Sequence, residues 1–395
     1  MVTGADGRGE RTAPGDGEAS APCILCVINE AWFFRSHFLP WARAARDSGF
    51  RVAVLAAPQD GVAWAEPGIA LEPADARRGG LAPRGLWTAA GELRDLAGRE
   101  GCAPLVHAFG LHGMAIAALA RLRGLSTPRV VSITGLGFLA TAAPPQRWAA
   151  RLAAAGLARL CDGPRTVWLA ENGADPLALG LHRALGEGRV VTLAGAGVDP
   201  AEFHVRPLPE VPPLRLIFVA RLVRSKGLDL AVAALRQVRA GGLDATLTVV
   251  GEADAANPRA LTPDDCASLA AEPGVTWLGR RDDVAALLAD HHLFVLPSRG
   301  GEGLPRALLE AAAAGRPALV TAVPGCRDFV EDGVTGFIVP PEDPGALAAA
   351  IGRAAGADLA AMGAAARLRV EREASLGEVA GRVVEVYQRL FPVLR

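Results

Sequence analysis

Two successive series of short, wholly apolar runs, each run followed by an Ala/Leu-rich stretch of helical spacing, constrain this chain more than any other feature. The first series reads CILCVI, RVAVLAA, PLVHAF, RVVSIT, TVWLA and RVVTLA. Between these runs stand segments such as FLPWARAARDSG and GMAIAALARLRG, which keep a helical period and end at Gly. A strand apolar at every position, rather than at alternate ones, has both faces covered, as in a parallel sheet between two helical layers. A Pro-rich stretch, RPLPEVPPL at 206–214, then precedes the second series: LRLIFVA, ATLTVV, VTWLG, HLFVLPS, PALV and GFIVP. The pattern predicts an α/β protein of two doubly wound, Rossmann-like domains facing an interdomain cleft, with ligands beyond the carboxyl ends of the strands. We divide the chain into a disordered tail over 1–22, an N-terminal Rossmann-like domain over 23–205, a C-terminal Rossmann-like domain over 206–375, and a C-terminal helix over 376–395 that packs back on the first domain.

Length agrees, because 395 residues exceed what one hydrophobic core supports. A composition 51% hydrophobic and 21% charged is that of a globular chain. A formal net charge of -1 excludes a general nucleic-acid binder, which needs a basic excess. Of the six cysteines only Cys23 and Cys26 are close, and they lie inside an apolar run with no second ligand pair, so the reading is a buried strand with reduced thiols. Neither the polar first 22 residues nor any interior run supplies the ~18 apolar residues of a spanning helix. A cytoplasmic protein with at most peripheral membrane contact is the expectation.

Lys226 is the single lysine. In VARLVRSKGLDL a strand ends near Ala220, the loop carries Arg221 and Lys226, and Gly227 opens a helix. Helix N-termini collect anions, so two cations on such a loop suit a diphosphate; two solvated surface charges are the plain alternative. Downstream, LPSRGGEGLPRALLEAAAAGRPALV joins a buried strand to a Gly-rich turn and then to a helix whose first turn holds Pro305. Glu302 precedes that helix and Glu310 lies eight residues on, up to about 12 Å along a helical axis. That separation fits one carboxylate on a sugar and one on a ribose; two helix-surface charges are the alternative.

RLVRSKG, the two glutamates of EGLPRALLEAAAAGRP, and VPGCRDFVEDGVTGFIVPPED together resemble glycosyltransferase family 4, in particular bacterial members that build exopolysaccharides or lipid-linked oligosaccharides. The resemblance runs from about residue 23 to 390 and is most specific in the second half. It implies the two-Rossmann GT-B fold and a retaining transfer of a hexose or N-acetylhexosamine from a nucleotide-sugar, a UDP-sugar first, to a glycan or polyprenyl-diphosphate-linked acceptor. It gives Arg221 and Lys226 the diphosphate, Glu302 the hexose, and Glu310 the ribose hydroxyls. Gly251 falls at a family strand-end position, although Glu252–Ala253 lacks the family's second glycine. Arg280 stands where the family holds the base, and Gly303, Leu304 and Pro305 are expected to present amides to phosphate.

The first half is less typical. NEAWFFRSHFLPW resembles a subset reading ND...FF..H, which sets His37 at the start of a helix facing the cleft. His107, in PLVHAF, is expected to end a strand, point to the cleft and stand near the reacting sugar. TGLGF at 134–138 resembles the acceptor-side glycine-rich loop and brings in Gly135 and Gly137. For each of these a structural role stands beside the functional one. Arg147, Arg151, Arg159 and Trp148 fall on one helix, which suits either a solvated face or an anionic membrane surface, here the inner face. Neither a cofactor nor a metal is expected, since the histidines lack ligand spacing and no DxD motif stands between strands. A sugar-nucleotide epimerase of the same plan and a non-catalytic sugar-nucleotide binder remain open, whereas a dehydrogenase would need a GxGxxG that CILCVINEAWFF lacks.

Overall fold

The structure is a computed structural model, described here over residues 22–58, 63–74, 83–99, 104–137, 146–253 and 259–391. The first sheet holds seven parallel strands: β1 Cys23–Glu30, β2 Arg51–Ala57, β3 Ile69–Pro73, β4 Leu105–Phe109, β5 Arg129–Ile133, β6 Thr166–Ala170 and β7 Val190–Thr192. Their order is β3-β2-β1-β4-β5-β6-β7. The second sheet holds β8 Leu214–Val219, β9 Ala245–Val250, β10 Val275–Trp277, β11 Leu293–Leu296, β12 Ala318–Thr321 and β13 Gly336–Val339, in the order β10-β9-β8-β11-β12-β13. Both are doubly wound Rossmann-like sheets. Strand order reverses between β1 and β4 in one and between β8 and β11 in the other, and crevices open at such switch points.

Alternation within β1 shows why its run is apolar throughout. Ile24, Cys26 and Ile28 enter one buried cluster, whereas Cys23, Leu25 and Val27 enter another on the opposite face. Cys23 and Cys26 are thus buried core thiols outside any disulfide. Six of the seven strands of the first sheet coincide with the apolar runs. The seventh, β3, reads IALEP and is half-exposed, as an edge strand can be.

The helix Leu376–Leu390 is capped by Ser375, whose side chain accepts from the Glu378 amide, and it returns to the first sheet. Val379, Val383 and Tyr387 enter the cluster built on Phe34, Trp41 and Phe50. The return crossing runs beside the outward one: the Val198 amide donates to the Ala374 carbonyl at 3.0 Å and the Leu376 amide to Val198 at 2.9 Å. Among the described residues no helix is long and apolar enough to cross a membrane.

Candidate functional site

Loops that follow β8 and β11 flank the switch point of the second sheet, and one glycine lets them touch. A Cβ at Gly227 would lie 2.1 Å from the Pro297 carbonyl oxygen, so only glycine, with its φ of +75°, allows this approach. Lys226 is thereby set beside the β11 loop, where its Nζ donates to Glu302 Oε2 at 2.7 Å. Ser298 Oγ donates to the other carboxylate oxygen at 3.3 Å. Both partners of the ion pair are largely enclosed. At the next strand end, a Cβ at Gly251 would stand 1.8 Å from the Ala220 carbonyl, which binds the loop carrying Arg221 to the end of β9. Arg221 is exposed and makes no ion pair among the described residues. Arg280, also exposed, follows Gly279, whose carbonyl accepts the Gly251 amide at 2.8 Å. Lys226 and Glu302 are thus paired at the switch point, and the backbone at Arg221, Gly251 and Arg280 is joined at the neighbouring strand ends.

Glu310 lies in the helix Arg306–Ala313 and takes an ion pair from Arg306 at 2.9 Å. Burial pushes its carboxyl above the usual range, with Arg306 opposing. The expected row of phosphate-binding amides needs correction. Pro305 is the N-cap residue, one position before the helix, and a proline has no amide hydrogen to offer. The Leu304 amide already donates to Glu171 Oε2, 2.8 Å away in the first lobe. Gly303 nitrogen lies 2.4 Å from where a Cβ at Gly135 would stand, so that glycine covers it.

The two glycine-rich loops meet across the cleft. Gly135 has a φ of +91° and Gly137 donates its amide to the Gly301 carbonyl at 3.0 Å. A side chain at Gly135 would collide with Gly301, Glu302 and Gly303. Phe138, the end of the TGLGF stretch, lies outside the described residues. Asn172 adds a second crossing: its Nδ2 donates to the Glu302 carbonyl at 3.4 Å and to Asp175 Oδ2 at 2.9 Å. Another runs from Arg306 to the Ser36 carbonyl.

Two histidines are placed differently from expectation. His37 ends the helix Ala31–His37 rather than starting one, and its Nδ1 lies 2.7 Å from Ser36 Oγ. It stands next to the carbonyl that Arg306 reaches. His107 lies in the middle of β4 with no exposed surface, so it does not face the cleft. Its ring stacks against Phe109 at 3.9 Å between centroids, its Nδ1 meets Tyr387 Oη at 2.5 Å and its Nε2 meets Ser132 Oγ at 2.7 Å. Burial lowers its pKa to about 3, which keeps the imidazole neutral. His112, in the first turn of the helix Gly110–Leu122 that follows β4, is the part-exposed histidine at this strand's carboxyl end. Desolvation lowers its pKa and Glu30, at the end of β1, opposes that.

Glu171 is a residue that the sequence reading missed. It follows β6, and desolvation pushes its carboxyl up to about 8, with Asp175 and Glu302 adding in the same direction. Asp175 is raised to about 6 by burial first and Asp328 second. Glu171, Asn172, Leu304, Asp328 and Arg372 line a cavity of about 400 Å³ between the lobes. Arg221 and Lys226 do not line it.

Similarity to known proteins falls on the same parts. Residues 213–356 match the family described as glycosyl transferases group 1. The amylovoran biosynthesis glycosyltransferase AmsK of Erwinia amylovora is 29% identical over 213 residues, 51% of this chain and 51% of that protein. The chain thus spans about half the length of this curated relative. Among solved structures, the sucrose-phosphate synthase from Thermosynechococcus elongatus superposes with a TM-score of 0.77 at 19% identity, covering 94% of this chain and 99% of that one. Anabaena Alr3699/HepE, solved in complex with UDP and glucose, gives 0.70 at 18% identity over 92% and 99%. The fold is the GT-B arrangement of two facing Rossmann-like lobes.

Proposed function

We propose that this GT-B chain, whose second lobe carries the group 1 glycosyltransferase match, is a retaining transferase of cell-surface polysaccharide synthesis. It moves a hexose or N-acetylhexosamine from a UDP-sugar to a glycan or polyprenyl-diphosphate-linked acceptor. The observation that carries the reading is the ion pair of Lys226 with Glu302 at the switch point of the second sheet, on the same β8 loop as Arg221. The UDP and glucose held by the Anabaena protein and the amylovoran role in the name of AmsK support the donor and acceptor classes. In this reading residues 23–205 hold the acceptor, 206–375 hold the donor, and 376–395 brace the first lobe.

Transfer breaks the bond between the anomeric carbon and the β-phosphate oxygen, which leaves with the electron pair. The acceptor oxygen bonds to the same face of that carbon and its proton passes to the departing diphosphate. Arg221 and Lys226 stabilise the growing phosphate charge, as donors fixed in advance where charge develops. Their two positive charges serve in place of a metal, and no cofactor enters the reading. Glu302 releases Lys226 to the phosphate and takes up the sugar, Glu310 accepts from the ribose, and Arg280 stands beside the base. His112 replaces His107 as the histidine of the first lobe near the reacting sugar.

Peripheral contact with the inner membrane face belongs to the same proposal. On the helix Gln146–Cys161, Trp148 is 59% and Leu152 74% exposed, with Arg151 over the Trp148 ring. Such a face suits an anionic interface. Mixing the chain with UDP-, GDP- and ADP-sugars and following its melting temperature identifies the donor, since a ligand stabilises by RT ln(1 + [L]/Kd). UDP-sugars are expected to stabilise the wild type, and Glu310→Ala to lose most of that shift. Proton NMR of the product is expected to show the donor's anomeric configuration, whereas an epimer formed from donor alone would replace this reading with an epimerase.

A further inference from the structure

Positive charge that the transfer reaction does not use collects at the opposite end of the first sheet. Arg129 is the first residue of β5, Arg165 immediately precedes β6, and Arg121 lies in the last turn of the helix Gly110–Leu122. A five-residue strand spans about 17 Å, so the cluster lies roughly that far from Gly135 and Glu171, which follow the other ends of β5 and β6.

The guanidinium groups of Arg121 and Arg129 converge on Gly163. From the position a Cβ would take there, Arg121 Nη1 is 3.6 Å and Arg129 Nη2 is 3.9 Å away. Backbone carbonyls at the end of the helix Gln146–Cys161 hold both side chains in place. Arg121 Nη1 donates to Leu160 at 3.0 Å and Asp162 at 2.7 Å, and Arg129 Nε donates to Cys161 at 3.2 Å. A guanidinium carries five N–H donors, so each keeps others free for a ligand. None of the three arginines forms an ion pair among the described residues, and the nearby Asp162 carboxylate is taken by Arg189 at 2.6 Å.

Like charges drawn this close, with Arg129 only 8% exposed, are costly unless something negative stands among them. Thr127, also 8% exposed, has a hydroxyl with no hydrogen-bond partner. Arg121, Arg129, Arg165, Ser126 and Thr127 line one cleft of about 340 Å³. We propose that this cleft binds a phosphate group, borne by a lipid headgroup or by a free phosphorylated metabolite, at a site separate from the transfer crevice. Planar guanidinium forks match phosphate oxygens in pairs, and three of them favour a doubly charged group over a single carboxylate. The site does not rest on the transferase reading.

Titration calorimetry with pyrophosphate tests it, run with UDP at saturation so that the transfer crevice is occupied. The wild type is expected to bind, and Arg165→Gln to bind at least about tenfold more weakly, the loss of one charge-assisted contact. Arg165 is exposed, so this variant keeps its melting temperature and its affinity for UDP. In parallel, both proteins are sedimented with phosphatidylcholine vesicles with and without phosphatidic acid. A loss of phosphatidic-acid-dependent sedimentation in Arg165→Gln identifies a headgroup as the source of the phosphate, and weakening toward pyrophosphate alone identifies a soluble one. Absence of binding to both probes, or equal binding by wild type and Arg165→Gln, overturns the proposal.

Discussion

Lys226 Nζ lies 2.7 Å from Glu302 Oε2, so the lysine of the β8 loop and a carboxylate of the β11 loop neutralise each other across the switch point. In the transferase reading proposed above, a diphosphate entering the crevice would compete with Glu302 for the ammonium group and free the carboxylate for a sugar hydroxyl, so that donor binding would exchange the ion pair for two new contacts.

Lys226→Met tests that exchange. The variant keeps an unbranched side chain one atom shorter but leaves Glu302 without its cation, and kcat is expected to fall by about 100-fold or more, as when one fixed donor to a developing anion is removed. Steady-state transfer assays and a melting curve check both halves, and full activity in a folded Lys226→Met protein would remove Lys226 from the reaction.

The raised carboxyl of Glu171 sets a pH dependence of stability. Its folded pKa of about 8 exceeds the usual 4.5, so between these values the folded state binds the extra proton. Stability contributed by this group is present below pH 4.5 and is lost as pH rises toward 8. Melting temperatures measured across that window are expected to fall less steeply in Glu171→Gln than in the wild type. Identical slopes would mean that Glu171 titrates normally.

Tyr387→Phe isolates the buried histidine. Removing the hydroxyl leaves His107 Nδ1 without its partner in a dry core, at a cost of about 1–3 kcal/mol in urea unfolding. Turnover per folded molecule is expected to stay unchanged, because His107 is remote from the crevice surface. A large drop in kcat with normal stability would return His107 to the reaction.

Residue by residue, legibility follows locality. Runs such as CILCVI and LFVLPS display both-face burial in their own letters, and the Lys226 and Glu302 loops carry short, specific signals. Strand β3 is hidden because IALEP is only half-buried and contains Glu and Pro. His107 escapes a local reading because its partner Tyr387 lies 280 positions away and on another element. Glu171 sits in AENGAD, which reads as an ordinary polar turn, and only the opposing Leu304 amide gives it meaning. Pro305 shows a different error: the helix start is right in kind but one residue early, and that residue is the one without an amide hydrogen.

The return of the helix Leu376–Leu390 to the first sheet also bears on biosynthesis. A ribosome completes the strands of the first lobe long before it reaches the residues that cover Trp41 and Phe50, and the entire second lobe is translated in between. The nascent first lobe therefore waits with an uncovered greasy face, a natural target for holding chaperones. Its final closure waits until the helix that covers it has been made, after the whole second lobe.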